Sequence, residues 1–292
     1  MTGRLISPGE LAKLHEEGTN AHRLWTGRGA WVERFNEDFL ISVSEPDDLV
    51  DAVLGWSSDL GLRCSRIFVR HLVKQPGEED RPVLVHGDPV APLETTVLER
   101  GLRFGLDFSA GYSVGLFCDQ RANRAHLETF RPKRVLNCFA YTCAFSVAAA
   151  RAGAATLSLD LSRKSLERGR ANFELNGLDL EGHRFIADDV FAVLPRLAKR
   201  GEKFDAIILD PPTFSRGAKR RVFRVERDLE TLLDLARQIA TPDARILLST
   251  NATTMNVAAL RRIGRKAGLA AHPVPPPAEY PEGAAAATVW LG

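Results

Sequence analysis

The fold of this chain is decided by the stretch VLNCFAYTCAFSVAAARAGAATLSLD, residues 135 to 160. In this stretch an apolar run at 134–137 leads into a turn, a helical pattern at 144–152 and a second apolar run at 155–160. The same alternation continues downstream, with apolar runs at 183–187, 203–210 and 244–250 and helical patterns at 163–176, 190–200 and 226–240. Strands that alternate with helices of this length predict right-handed crossovers and a parallel sheet covered on both faces. The segment 287–291 predicts a last, antiparallel strand after a proline-rich tail.

The residues before this stretch do not show the same regular alternation of strands and helices. Apolar runs at 39–43 and 66–69 predict strands, and residues 46–57 predict a helix. Residues 97–118 alternate as in a hairpin, and we place its turn near Ala110-Gly111. The sequence therefore predicts two domains, a small α/β domain at 1–95 and a larger α/β domain at 96–292.

The bulk composition excludes several classes of protein. With 292 residues, 26% charged residues and a net charge of +2, this is an ordinary globular chain, and only a local basic patch can argue for nucleic acid. Its four scattered cysteines have no CxxC pair and no metal-ligand spacing, so we expect a reduced cytoplasmic protein without a metal. We find no signal-peptide pattern and no apolar run long enough to span a membrane.

Ligands of an open parallel sheet bind beyond the carboxyl ends of its strands, so the residues that follow each strand are the candidates. The first turn, residues 137–144, contains no glycine. A dinucleotide site needs glycines there, and Phe139 and Tyr141 would crowd a diphosphate. This argues against a nicotinamide or flavin enzyme, whereas a ligand without phosphates and a plain turn both stay open.

Acidic residues follow the second and third strands. Asp160 lies where Rossmann-like proteins bind ribose hydroxyls, but it would equally suit the start of the helix near Arg163. Asp188 and Asp189 could accept from an adenine amino group or complement the dipole of a helix. We read Asp188 as solvated and Asp189 as the better ligand candidate.

The sharpest signal follows the fourth strand, where a buried run delivers Asp210-Pro211-Pro212-Thr213-Phe214 to the edge of the sheet. Two consecutive prolines remove two backbone donors and fix both φ angles, which leaves the carbonyls of Asp210 and Pro211 rigid and free to accept. Asp210 and one such carbonyl can hold an amino group in line with a methyl donor, and Phe214 offers a face for a base. A purely structural turn could use the same residues.

A basic segment comes next. Between residues 214 and 227 six basic side chains accompany one acid, Glu226. Such a segment beside a candidate active site suits a phosphate backbone, although it could also be a solvated loop. Its candidate RNA-binding residues are Arg216, Lys219, Arg220, Arg221 and Arg224.

These segments resemble, in order and spacing, the 23S ribosomal RNA methyltransferases of the RlmI and RlmK types. The resemblance runs from about Thr95 to the end. It rests on FCDQRANR (117–124), VLNCFAYTCAFSVAAARAGA (135–154), SLDLSRKSLERGRANFELNGL (158–178), IADDVFAVLPRL (186–197) and LDPPTFSRG (209–217). The resemblance implies a Rossmann-like class I methyltransferase with a seven-stranded, mostly parallel sheet and S-adenosylmethionine as its cofactor.

The resemblance also assigns residues. Asp160 would hold the cofactor's ribose, and Asp189 with Val190 its adenine. Asn137, Phe139 and Tyr141 would line the methionine end, and Asp119, Gln120, Arg121 and Arg124 would close over the cofactor. Asp210, which also lies beside the cofactor, would face the target base together with Pro211, Pro212 and Phe214.

Three departures from that family qualify these expectations. Cys143-Ala144 stand where the family usually has two glycines, and we find no RNA-binding PUA-like domain before the small domain. Methylation at cytosine carbon 5 requires a cysteine nucleophile, and the loop at 248–252 has none. Cys138 and Cys143 lie in the turn at 137–144, the expected cofactor loop, and we expect both side chains to pack there. A base nitrogen is therefore favoured as the target over cytosine carbon 5.

Two other functions stay open. A methyltransferase of the same fold could act on protein or a small molecule, and a catalytically silent RNA-binding factor could retain the fold. Ribosomal RNA is the favoured substrate, and the sequence predicts neither the modified nucleotide nor the oligomeric state.

Overall fold

The computed structural model describes residues 3–45, 49–73, 81–216 and 222–292. It divides into two compact units, one made of residues 1–119 with 277–284 and the other of 120–276 with 285–292. Within the described residues, no helix has both the length and the apolar character to cross a membrane.

The first unit is built on a six-stranded sheet with strand order β1-β2-β3-β4-β5-β6, in which only β4 and β5 are parallel. Its elements are β1 (Gly3–Leu5), α1 (Pro8–Glu16), β2 (Ala21–Gly27), β3 (Ala30–Phe35), β4 (Asp38–Val43), α2 (Val50–Asp59), β5 (Arg66–His71), β6 (Val83–His86), β7 (Glu94–Glu99) and β8 (Leu102–Asp107). A capping box closes the start of α1, since Ser7 and Glu10 bond to each other's backbone N–H groups. Leu11, Leu14 and Val53 of the two helices join the apolar core of this unit.

The predicted hairpin has a different turn. β7 and β8 pair antiparallel with Glu99 opposite Leu102, so the turn lies at Arg100-Gly101, and the expected turn near Ala110-Gly111 is wrong. Arg100 and Gly101 adopt left-handed φ angles of 50° and 75°, which suit a two-residue hairpin turn. The alternating residues 102–107 form one strand, and the strand that pairs with it precedes it in the chain.

The second unit contains a seven-stranded sheet of order β11-β10-β9-β12-β15-β17-β16. Its elements are α3 (Arg121–Thr129), β9 (Arg134–Cys138), α4 (Ala144–Arg151), β10 (Ala155–Asp160), α5 (Arg163–Leu175), β11 (His183–Ala187), α6 (Val190–Lys199), β12 (Phe204–Leu209), β13 (Phe214–Arg216), β14 (Val222–Arg224), α7 (Val225–Arg237), β15 (Ala240–Thr250), α8 (Val257–Lys266), β16 (Ala271–His272) and β17 (Ala287–Leu291). The pairs between β9, β10, β11, β12 and β15 are parallel, and β17 runs antiparallel to both of its neighbours.

Helices cover both faces of this sheet, as the alternating pattern predicts. On one face Val193 of α6, Leu232 of α7 and Leu260 of α8 pack on the apolar residues of the strands. On the other face Leu127 of α3 and Phe145 of α4 do so. The fold class of a mostly parallel seven-stranded sheet with an additional N-terminal sheet is confirmed.

Candidate active site

The carboxyl ends of three central strands lie side by side. Cys138 of β9 pairs with Leu159 of β10 on one side and with Leu209 of β12 on the other. Asp160 and Asp210 are the next residues along the two outer strands, so they flank the loop that leaves β9. The strand order reverses at β9, and this is the position where open α/β sheets bind their ligands.

The loop that leaves β9 takes glycine-like backbone angles without glycine. Phe139, Tyr141 and Cys143 have φ angles of 58°, 47° and 62°. The left-handed region costs an ordinary residue roughly 1–2 kcal/mol, so the surrounding contacts must hold this loop in place. Such alternating left-handed residues turn the backbone sharply between β9 and α4.

Cys143 occupies space that a neighbouring glycine leaves open. A Cβ placed on Gly169 of α5 would lie 2.4 Å from Cys143 Sγ and 2.9 Å from Cys143 Cβ. The thiol is buried, and this burial raises the pKa of Cys143 to about 12. Burial likewise raises the pKa of Cys138. Both side chains therefore stay protonated and pack in the core, as the sequence suggested.

Asp160 accepts hydrogen bonds from the backbone of two neighbouring loops. Its Oδ2 accepts from the Tyr141 N–H at 2.8 Å, and its Oδ1 accepts from the Ser162 N–H at 2.8 Å. Burial raises the pKa of Asp160, whereas backbone hydrogen bonds from Ser162, Tyr141 and Leu161 lower it. A carboxylate accepts at about four positions, so a ribose hydroxyl can still be accommodated. The helix α5 is capped by Ser162, whose Oγ accepts from Ser165 N.

The two acids after β11 differ in their surroundings. Asp189 is buried at the start of α6, where its Oδ1 accepts from Phe191 N at 2.9 Å, and Val190 is buried beside it. Asp188 is partly exposed and forms an ion pair with Arg196, whose hydrogen bond lowers the pKa of Asp188. Asp189 therefore caps a helix, and its predicted contact with adenine stays a prediction.

Asn137 is directed into the interior. Its side-chain amide donates to Ser146 Oγ at 2.9 Å, and Ser146 Oγ lies 2.8 Å from Ser158 Oγ. All three residues are buried, so this polar cluster joins β9, α4 and β10. The predicted contact of Asn137 with the methionine end of a cofactor remains untested, as do those of Phe139 and Tyr141.

Asp210 follows β12 and meets the start of α3. The Gln120 side-chain amide lies 3.5 Å from Asp210 Oδ2 and 2.7 Å from Ser249 Oγ of β15. Pro211 is buried and Pro212 is exposed. The hydroxyl of Thr213 donates to Asn251 Oδ1 at 2.8 Å, which connects the motif to the loop after β15.

The segment 119–124 was predicted to close over a cofactor. Gln120, Arg121 and Arg124 are buried, and the guanidinium of Arg124 lies 5.6 Å from the ring centroid of Phe145 on α4. Asp119 belongs to the first unit and is partly exposed. The structure thus places Gln120 against Asp210 and Arg124 against α4.

The basic segment begins as a hairpin. β13 pairs antiparallel with β14, with Phe214 opposite Arg224 and Arg216 opposite Val222. Phe223 is buried, with ring centroids 5.9 Å from Phe139 and 5.8 Å from Phe191. Arg224 is exposed, whereas Lys219, Arg220 and Arg221 lie outside the described residues. Phe223 therefore fixes the base of this hairpin against the loop that leaves β9.

Sequence reasoning missed three residues of this region. Ser249 precedes Thr250, the last residue of β15, and its Oγ lies 2.7 Å from Gln120 Nε2. The rule that pointed to Asp160 and Asp210, which considers the carboxyl ends of the strands, could also have pointed to Ser249. Asn123 and Trp290 bond to each other at 3.0 Å, and no sequence pattern connects residues so far apart. Within the described ranges, no cluster of three or more His, Cys, Asp or Glu could hold a metal.

The strand order and the acceptor groups at its reversal point define the class I methyltransferase fold. Residues 66–289 match the family of S-adenosylmethionine-dependent methyltransferases, and the chain belongs to this family. The predictions of family, fold class and cofactor are confirmed.

Individual relatives agree with this assignment. The chain is 36% identical over 199 residues to "Ribosomal RNA large subunit methyltransferase I" of Aeromonas salmonicida, covering 67% of this chain and 50% of the relative. It is 38% identical over 158 residues to "Ribosomal RNA large subunit methyltransferase K" of Neisseria meningitidis, covering 53% of this chain and 45% of the relative. The chain thus spans about half the length of these relatives.

A solved structure covers more of the fold. SMU.776, a methyltransferase crystallised in complex with SAH, superposes with a TM-score of 0.82 at 26% identity. The match covers 97% of this chain and 78% of SMU.776. Both units of the chain therefore have counterparts in a methyltransferase of known structure.

Replacement of Gly169 by alanine tests the packing of the strained loop. Because the new methyl group would overlap Cys143 Sγ, we expect Gly169→Ala to lower the free energy of unfolding by about 1–3 kcal/mol. Urea unfolding followed by circular dichroism measures this loss. Adding Cys143→Gly should recover most of it, since glycine removes the overlap and accepts a positive φ.

Gly55 of α2 provides the control, since a Cβ there would meet nothing within 4 Å. Gly55→Ala should not destabilise the protein. Equal losses for Gly169→Ala with and without Cys143→Gly would contradict the proposed overlap.

Asp160→Ala tests the ribose prediction. Because hydrogen bonds to a charged group contribute about 1.5–3 kcal/mol, the affinity for S-adenosylhomocysteine should fall about 10-fold to 100-fold in isothermal titration. In the unsubstituted protein this affinity should decline as the pH falls, and the decline should begin above the pKa of an ordinary aspartate because burial raises the pKa of Asp160. Asp188→Ala is the matched control and should bind normally; equal affinities for all three proteins would remove Asp160 from the site.

Proposed function

We propose that this chain transfers the methyl group of S-adenosylmethionine to a base nitrogen of ribosomal RNA. The observation that carries the proposal is the position of Asp210-Pro211-Pro212 at the end of β12, beside the strand at which the sheet order reverses. Family membership supplies the reaction class, and the relatives' names supply the class of RNA. Such a substrate would place the enzyme in the cytoplasm, which stays a prediction.

The residues around the β9 loop suit the cofactor chemically. Asp160 would accept from the ribose hydroxyls, and Asp189 with Val190 would bound the adenine. A loop that carries Phe139 and Tyr141 and no glycine suits a ligand without a diphosphate. When bound, S-adenosylmethionine supplies an electrophilic methyl group on a positively charged sulfur.

Asp210 and the two prolines would align the acceptor nitrogen. Pro211 and Pro212 have no backbone N–H, so the turn presents acceptors to an N–H of the base. A nitrogen held in this way directs its lone pair at the methyl carbon. Transfer of the methyl group to the nitrogen would release the proton of that nitrogen, and the Asp210 carboxylate or solvent would take it. Positioning alone contributes a large part of the acceleration in such a displacement.

The cysteines of the cofactor loop favour nitrogen over cytosine carbon 5. Attack on the pyrimidine ring requires a thiolate. Burial raises the pKa values of both Cys138 and Cys143, and the loop after β15 carries no cysteine. The base product is therefore expected to be an N-methylated nucleoside.

The basic hairpin would hold the RNA backbone. Its base is fixed by Phe223 beside the cofactor loop, and Arg224 is exposed at the end of β14. Arginine and lysine side chains at such a position bind phosphates and make the affinity dependent on salt. Arg216, Lys219, Arg220, Arg221 and Arg224 are the proposed contacts.

Asp210→Ala tests the reaction. Loss of the acceptor should lower methyl transfer from tritiated S-adenosylmethionine to large-subunit RNA of a deletion strain by about 100-fold or more. The affinity for S-adenosylhomocysteine should change little. Asp234→Ala, an exposed acid on α7, serves as the control. A collapse of cofactor binding in Asp210→Ala would make Asp210 structural, and 5-methylcytidine in the digested product would overturn the nitrogen target.

The substrate class is tested through the hairpin. Combined replacement of Lys219, Arg220 and Arg221 by alanine should weaken RNA binding and reduce the slope of log affinity against log salt by about 2, as expected for three phosphate contacts to a single strand. Filter binding at several salt concentrations measures this slope. If the protein transfers no methyl group to RNA, and the triple variant methylates a protein or small molecule as well as the unsubstituted protein does, the substrate is not RNA.

A further inference from the structure

A continuous series of side-chain hydrogen bonds connects the last strand of the sheet to Asp210. Trp290 Nε1 of β17 donates to Asn123 Oδ1 at 3.0 Å, and Asn123 Nδ2 donates to Gln120 Oε1 at 2.9 Å. Gln120 Nε2 in turn donates to Ser249 Oγ at 2.7 Å and faces Asp210 Oδ2 at 3.5 Å. We call Trp290, Asn123 and Gln120 the amide relay. All three residues are buried.

The direction of the amide relay is fixed at the Trp290 end. The two ends of an asparagine or glutamine amide have nearly the same shape, so hydrogen bonding decides their orientation. The indole N–H can only donate, and it therefore requires the oxygen of Asn123. The nitrogen of Asn123 must then face Gln120, which places the oxygen of Gln120 toward Asn123 and its nitrogen toward Asp210.

The Trp290 ring is well placed for this role. It is buried in a cluster of rings, with centroids 5.1 Å from Phe130 and 5.6 Å from His126. The position of the donor is thus set by packing. Asn123 Nδ2 also lies 3.3 Å from Thr288 Oγ1, a hydroxyl that can donate or accept and so cannot set the direction by itself.

We propose that the amide relay orients the carboxylate of Asp210 for methyl transfer, with Trp290 as a remote positioning residue. The proposal rests on the function proposed for Asp210. The amide N–H of Gln120 holds Oδ2 toward β15, and this sets the direction in which the carboxylate faces the acceptor base. A reversed Gln120 would set a carbonyl oxygen against the carboxylate, and the resulting repulsion would rotate Asp210.

Trp290→Phe removes the indole donor and keeps an aromatic ring. We expect kcat for transfer to large-subunit RNA to fall about 10-fold to 100-fold, as for a small misplacement of a reacting group. The KM for RNA and the affinity for S-adenosylhomocysteine should stay unchanged. Gln120→Glu should lower kcat at least as much, because it places a second carboxylate against Asp210.

Phe130→Leu is the matched control, because it loosens the packing of the Trp290 ring but leaves the indole donor. It should lower the melting temperature without changing kcat. If Phe130→Leu lowers kcat as much as Trp290→Phe, Trp290 acts through packing and the proposal is wrong. An unchanged kcat in Trp290→Phe would also overturn it.

A second measurement does not depend on RNA. In the ¹⁵N-labelled protein, Asp210→Asn should shift the side-chain amide signal of Gln120, and the same substitution should shift it by less than half as much in Trp290→Phe. Equal shifts in the two backgrounds overturn the amide relay, whatever the substrate. Absence of RNA methylation by the unsubstituted protein, with the shifts as expected, would refute the proposed function and keep the relay.

Discussion

The hydrogen bonds that the Asp160 carboxylate accepts determine how the loops after β9 and β10 are arranged. The carboxylate receives the backbone N–H of Tyr141 from the loop after β9 and that of Ser162 from the start of α5. Two loops that leave neighbouring strands are thereby fixed to one half-buried carboxylate. The loop after β9 contains left-handed residues that are unfavourable by themselves. The hydrogen bond from Tyr141 N–H to Asp160, at the end of β10, offsets part of that cost.

The parallel register extends this arrangement across β9 to the other side. Because Cys138 lies opposite both Leu159 and Leu209, the acids that follow those two strands must end at the same level. The roles proposed for them differ, with Asp160 on the cofactor side and Asp210 on the acceptor side of the reaction. The positions of Asp160 and Asp210 relative to each other are therefore set by backbone pairing, and side-chain contacts adjust them.

Much of this architecture could be predicted from sequence. The strands at 155–160, 183–187 and 287–291 have the predicted limits. A buried strand requires a continuous apolar run, whereas the apolar residues of a helix repeat about every 3.6 residues, so the two patterns can be told apart. The turn of the hairpin formed by β7 and β8 was misplaced. The alternation of residues 102–108 predicts a strand but does not show whether its partner lies before or after it in the chain. The positions of Asp160 and Asp210 at the carboxyl ends of their strands were predicted in the same way, whereas their roles stay predictions.

The amide relay could not be predicted, for a physical reason. Asn123 and Trp290 are distant in sequence, and each taken separately is typical of a polar helix surface or an apolar strand. Their contact exists only after β17 has entered the sheet beside β15. The same holds for Cys143 and Gly169, whose complementarity depends on how α5 packs against the loop.

The absence of glycine from the loop after β9 affects the entropy of ligand binding. Glycines explore both signs of φ in an unliganded chain, whereas Phe139, Tyr141 and Cys143 have few alternative backbone states once packing has placed them at φ angles of 58°, 47° and 62°. The conformational entropy of ordering this loop is therefore lost during folding, before any ligand arrives. A preorganised loop of this kind would bind a ligand with a smaller entropic penalty, and it would also narrow the range of ligand shapes that fit against it.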